Sequence, residues 1–125
     1  MHIFYNPNPA KKLVGDCVIR AITKLLNKDW DSVYLMLAMY GYRMHDMPSA
    51  NHVWGMFLKE KGYIQKVLPD TCPECLTVKK FCEEHPEGTY LLATGSHAVT
   101  AVCGDYYDSW DSGDETPVYY FERGD

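Results

Sequence analysis

The stretch TYLLATGSHAVTAVCGDYYDSWD, residues 89–111, decides the fold class. Thr89 to Thr94, His97 to Cys103 and Tyr106 to Asp111 are short runs rich in β-branched and aromatic residues, which read as strands. Gly95-Ser96 breaks the first pair, and Gly104-Asp105 reads as a tight hairpin turn between the second pair. Pro117 to Phe121 adds a strand downstream, and Tyr63 to Leu68 adds a short one upstream, closed by the turn Pro69-Asp70. Sequential antiparallel pairing is the simplest topology for strands this closely spaced.

Upstream of these strands the apolar period changes from two to that of a helix. Val18, Ile19, Ile22, Leu25 and Leu26 recur at helical spacing, with Asp16 as the expected N-cap and Cys17 as the first helical residue. A second helix is expected from Asp29 or Asp31 to about Tyr40, stopped by Gly41. A third starts at Ser49, turns Val53, Trp54, Phe57 and Leu58 inward, and stops at Gly62. A short helix follows Thr77, with Leu76 and Phe81 as a hydrophobic staple and Val78, Phe81, Cys82 and His85 on one face. The lead Asn6-Pro7-Asn8-Pro9 is turn-rich. Helices first and a sheet second predict an α+β fold, and 125 residues fit one domain, 1–125.

A hydrophobic fraction of 46% with 23% charged residues excludes a disordered chain. The net charge of -5 has the wrong sign for a phosphate-backbone footprint, so no nucleic-acid partner is expected. No window approaches a membrane span, and Met1 to Pro7 lacks the basic-then-apolar layout of an export signal. Five cysteines, an odd number, argue against a disulfide framework and for a reducing, cytoplasmic setting. The ten tyrosines read first as core and cross-strand packing.

The residues that could carry chemistry are Cys17, His97 and an aspartate. A nucleophilic cysteine must be a thiolate, and a helix N-terminus with a neighbouring imidazolium lowers its pKa from about 8.5. Cys17 has the helix N-terminus, and His97 opens an apolar strand at a sheet end. Asp108 or Asp111 would orient the ring. A three-residue turn Cys103-Gly104-Asp105 pairs His97 with Asp111, on the same side of the sheet. A two-residue Gly104-Asp105 turn puts Asp108 on that side but roughly 13 Å along the strand, so strand geometry leans to Asp111. A bulge would change either register.

The segments Asp16-Cys17, His97-Ala98-Val99 and Asp108-Ser109-Trp110 resemble those of the papain-like cysteine peptidase superfamily. The first is similar to the nucleophile segment of bacteriocin-processing transporter peptidases. The others are similar to the His-Ala-Val and Asn-Ser-Trp segments of plant enzymes, a likeness that favours Asp108. More narrowly, the chain looks like small proteins of bacteriophages and gut Firmicutes, which suggests a phage origin and supplies no activity. The superfamily resemblance implies N-terminal helices packed on a C-terminal antiparallel sheet and a Cys-His-Asp triad acting through a thioacyl intermediate. It also implies a peptide or protein substrate and no cofactor. Where these enzymes carry an oxyanion-hole Gln six residues before the nucleophile, this chain has Lys11. The expected oxyanion donors are therefore the Cys17 N–H and an Asn6 or Asn8 amide. Lys11 also motivates the alternative of a degenerate scaffold serving as a protein-binding module.

A rival pattern is Cys72-Pro73-Glu74-Cys75 followed by Cys82 and His85, which could supply four zinc ligands. A redox Cys-x-x-Cys would want a strand-helix context that Pro73, among turn signals, does not provide. His2, His45 and His52 have no motif partner; His45 with Asp46, and Asn51 with His52, are expected either at a substrate groove or on plain surface.

Overall fold

The computed structural model describes residues 1–124, which form an α+β fold. Its elements are β1 (His2–Phe4), α1 (Cys17–Leu26), α2 (Trp30–Met44), α3 (Asn51–Glu60), β2 (Tyr63–Val67), α4 (Val78–Glu84), β3 (Thr89–Ala93), β4 (Ala98–Val102), β5 (Asp105–Asp108) and β6 (Tyr119–Arg123). The six strands form one mixed sheet in the order β1-β5-β4-β3-β6-β2.

The meander expected from sequence holds for β3, β4 and β5 and ends there. β1, ahead of the turn-rich lead and not expected as a strand, pairs in parallel with β5, matching His2 to Tyr106 and Phe4 to Asp108. β5 therefore has no free edge for β6. β6 instead returns to the far side of β3 and lies antiparallel between β3 and β2. The crossing chain docks on the start of α4, where the Val78 and Lys79 N–H groups donate to the carbonyls of Glu115 and Gly113. These are donors a helix leaves without intrahelical partners, so the crossover and the helix satisfy each other.

Helices cover both faces of the sheet, which is why its central strands read as unbroken apolar runs. On one face, α1, α2 and α3 bury Ile22, Leu37, Trp54 and Phe57 against Leu91, Ala93, Ala98 and Phe121. On the other, α4 buries Val78, Phe81 and Cys82 against Leu92, Val99, Ala101 and Tyr106. Thr77 caps α4 as expected, its hydroxyl accepting from Lys80 N–H at 3.1 Å.

Gly41 does not stop α2. The helix continues to Met44 and ends on His45 in the left-handed region. Gly41 is buried, and a Cβ there would lie 2.7 Å from the Asp46 carbonyl oxygen, so its role is close approach of the following loop. The β4-β5 turn also differs: Val102 pairs with Asp105, making Cys103-Gly104 the two-residue turn. Both turn residues have positive φ, as a primed hairpin turn requires. Sequence preference put glycine in the first position of the turn, and the structure puts it in the second.

Candidate active site

Cys17 is the first residue of α1, and His97 immediately precedes β4. Two contacts fix one relative to the other. Thr100, in β4, donates its buried hydroxyl to the Ala21 carbonyl of α1 at 2.6 Å. Thr94, at the end of β3, accepts from the N–H groups of Ser96 and His97 and so shapes the turn that presents His97.

The corrected hairpin register decides the aspartate. With Cys103-Gly104 as the turn, the β4-β5 ladder ends at Thr100 with Tyr107, and Asp108, the next residue of β5, lies just beyond it within reach of His97. His97 Nε2 donates to Asp108 Oδ2 at 2.6 Å, and Asp108 is fully buried. Asp111 lies elsewhere: it is exposed, and its Oδ1 accepts from the Tyr106 hydroxyl and the Gly113 N–H. The lean toward Asp111 is thus corrected to Asp108.

Asp108 carries further ties that sequence reading did not foresee. Ser112 donates its hydroxyl to Oδ2 at 2.6 Å, while Oδ1 accepts from the Ser109 N–H and from Arg20 Nη2 at 2.8 Å. The other end of the same guanidinium bonds Asp16 Oδ1 at 2.6 Å, and Asp16 Oδ2 accepts from Trp30 Nε1 at 2.9 Å. Asp16 precedes α1 as expected, but its carboxylate caps no N–H. It holds Arg20 instead. The hint in the sequence was an arginine set among Val18, Ile19, Ala21 and Ile22, where only a buried acidic partner makes its charge tolerable.

The electrostatics follow from these bonds. Burial opposes charge on Asp108, yet its hydrogen bonds from His97 and Ser112 and the nearby His97 and Arg20 charges hold its carboxyl below the usual range. Burial likewise opposes charge on His97, but the bond to Asp108 and the Cys17 thiolate lift its pKa to about 9. Burial would raise the Cys17 thiol; the His97 hydrogen bond, the Ala98 backbone and the His97 and Arg20 charges overcome it and lower the pKa. With Nε2 committed to Asp108, the ring nitrogen left for Cys17 is Nδ1. The Trp110 ring packs against the His97 ring, with centroids 4.8 Å apart.

Other expected site residues are placed differently. Asn8 is buried and its Oδ1 accepts from Ala10 N–H; Asn6 accepts from Asn8 N–H and donates to the Lys12 carbonyl. Both amides serve their own loop, and neither borders the cavities that meet at Cys17. Asn51 does border one of them, together with Cys17 and His97, while its Oδ1 accepts from Trp54 Nε1. His52 is paired with Asp46 at 2.7 Å and exposed.

The four zinc candidates are not brought together. Cys72 and Cys75 are joined to each other as a disulfide, contrary to the all-thiol expectation. Cys82 is buried in the α4 core, and His85 stacks on Phe81 with its Nδ1 on the Phe81 carbonyl. Among the described residues no group of three or more metal-ligating side chains occurs. No helix among them is long and apolar enough to cross a membrane. Comparison with protein families, curated proteins and solved structures finds no match to this chain.

Proposed function

We propose that this chain is a papain-like thiol hydrolase, acting as a cysteine peptidase on a peptide or protein substrate. The observation that carries the reading is His97, bonded to the buried Asp108 carboxylate and bordering the same cavities as Cys17, whose thiol pKa is lowered. Such a pair is how a fold activates sulfur as a nucleophile near neutral pH.

The Cys17 thiolate attacks the substrate carbonyl carbon, forming a C–S bond and an oxyanion. The Cys17 N–H, which as the first of a helix has no intrahelical partner, donates to that oxyanion. Asn51 Nδ2 is the side-chain amide best placed to be the second donor, since it borders the same cavity. Collapse breaks the C–N bond as the His97 imidazolium gives its proton to the leaving amine. Neutral His97 then takes a proton from water, the hydroxyl adds to the thioester, and the acid departs with Cys17 restored as thiolate and His97 as imidazolium. Asp108 keeps the ring oriented throughout and supports its charge. No cofactor enters these steps.

A second reading, a binding module on a degenerate scaffold, is favoured by the turning away of Asn6 and Asn8 from Cys17. Iodoacetamide alkylation measured against pH on wild type, Cys17→Ala and His97→Ala separates the two. A fast site at Cys17 with an apparent pKa below the free-thiol value of about 8.5, slowed by loss of His97, supports the hydrolase. Slow labelling indifferent to His97 leaves the binding module.

A further inference from the structure

Three cavities meet at Cys17, and they differ in what else they border. One of about 480 Å³ runs past His97, Ser109 and Trp110. One of about 260 Å³ passes between His97 and Asn51. The third, of about 200 Å³, borders Cys17 and not His97. We propose that this third cavity is a substrate pocket for an apolar side chain on the residue whose carbonyl Cys17 attacks. The inference rests on the hydrolase reading and adds the class of substrate.

Direction comes from the chemistry. His97 must protonate the leaving group, so the leaving group occupies the side that His97 borders, and the acyl part extends the other way. The third cavity is the one on that other side. It is lined by Asp16 and Val18, the chain neighbours of Cys17, which puts it beside the attacked carbonyl rather than several substrate residues away.

Its lining sets the chemistry of the occupant. Ile19 and Val18 come from α1, Tyr34 and Leu37 from α2, and Pro48 from the following loop. Asp16 is the one carboxylate there, and its two oxygens are already bonded by Arg20 and Trp30. The other polar side chains there, Ser49 and Tyr34, are uncharged, so a charged substrate side chain would give up its hydration without finding a free opposite charge, whereas an apolar one gains by burial. The size also fits. Apolar cavities of about 150 Å³ take up benzene, so this one accommodates a leucine or phenylalanine side chain. Tyr34 is held in the wall by stacking on Trp30, with ring centroids 5.2 Å apart.

The test uses N-acetyl amino-acid chloromethyl ketones of Gly, Leu, Phe, Lys and Asp on the full chain, with iodoacetamide as a reagent lacking a side chain. In each case the Cys17 thiolate displaces the halide and leaves a thioether, read by intact mass and peptide mapping. The expected result is second-order inactivation by the Leu or Phe reagent at least about tenfold faster than by Gly, Lys or Asp, as burying apolar groups in a fitted pocket provides. Tyr34 is half exposed, so Tyr34→Asp should fold, and it is expected to move the Lys-to-Leu rate ratio toward Lys by about tenfold. A flat series beside fast iodoacetamide labelling of Cys17 overturns the pocket and leaves the hydrolase. Absence of selective iodoacetamide labelling overturns the hydrolase, and the pocket with it.

Discussion

Two regions of this molecule hold a cysteine and a histidine close in space, and they come out opposite. At the N-terminus of α1, Cys17 meets a histidine whose far nitrogen is held by a buried carboxylate, and its pKa falls. On α4, Cys82 lies among Val78, Phe81, Leu92 and Tyr106, and burial, helped by Asp105 and Glu83 against the N-terminal charge, pushes its thiol to about 11. His85, one turn from Cys82, gives Nδ1 to a backbone carbonyl and its ring face to Phe81. The difference lies in whether the imidazole has an anionic partner on one side and the sulfur on the other. Residue types are the same in both regions, 80 residues apart in one and three in the other; what differs chemically is the second partner.

The largest test of that contrast is alkylation at pH 7. With Cys103→Ser removing the exposed thiol, Cys17 should react about a thousandfold faster than Cys82, because a thiol near 11 is almost wholly protonated there. Comparable rates at the two sites, read by peptide mapping, would end the contrast.

Arg20→Met should cost about 3 to 5 kcal/mol of stability, since it leaves Asp16 and Asp108 buried without their shared cation. Denaturant unfolding measures this, and a loss under 1 kcal/mol, roughly that of a surface pair, would show that the guanidinium is not needed there.

Asp108→Asn should lower the His97 pKa from about 9 by about one to three units, as loss of an adjacent opposite charge does, while Asp111→Asn should leave it unchanged. NMR titration of the His97 ring distinguishes them, and the reverse pattern would restore Asp111 to the site. The same shifts set a pH window for stability. Asp108, depressed in the folded chain, contributes fully above the ordinary carboxylate range and loses its contribution as pH falls through its lowered value. His97, raised in the folded chain, contributes fully below about 6.5 and loses its contribution as pH rises through about 9. Wild type should therefore lose stability at both ends, and Asp108→Asn should narrow the dependence at each.

Thr100→Val should cost about 0.5 to 1.5 kcal/mol by removing the hydroxyl that donates to the Ala21 carbonyl, and should slow Cys17 alkylation through the looser setting of α1 on β4. Thr77→Ala, in the α4 region, should cost about 1 kcal/mol of unfolding free energy and leave Cys17 reactivity untouched. An effect of Thr77→Ala on Cys17 would mean the two regions are coupled.

Cys17 and His97 were legible because each sits where local pattern has meaning, one at the start of an amphipathic helix and the other at the head of an apolar strand. The Asp108-Ser109-Trp110 segment points to Asp108, whereas a three-residue turn at Cys103-Gly104-Asp105 points to Asp111. A hairpin slip of one residue moves a side chain to the other face, and Cys103 in a positive-φ position is not what local preference selects. Arg20 stayed unread because its two partners are four residues away in one direction and 88 in the other. β1 is too short to stand out in the sequence, and sequential pairing sets β6 beside β5 because nothing local says which edge β1 occupies.

Local patterns carry the helical and strand periods, the N-terminal placement of Cys17 and the cap of α4, all of which depend on neighbours within a few residues. Long-range packing selects the mixed sheet, the insertion of β6 between β3 and β2, the pairing of His97 with Asp108 and the bridge of Arg20 to Asp16 and Asp108. Those outcomes depend on which distant groups become buried together, where an unpaired charge or edge is costly enough to select one arrangement over its local competitors.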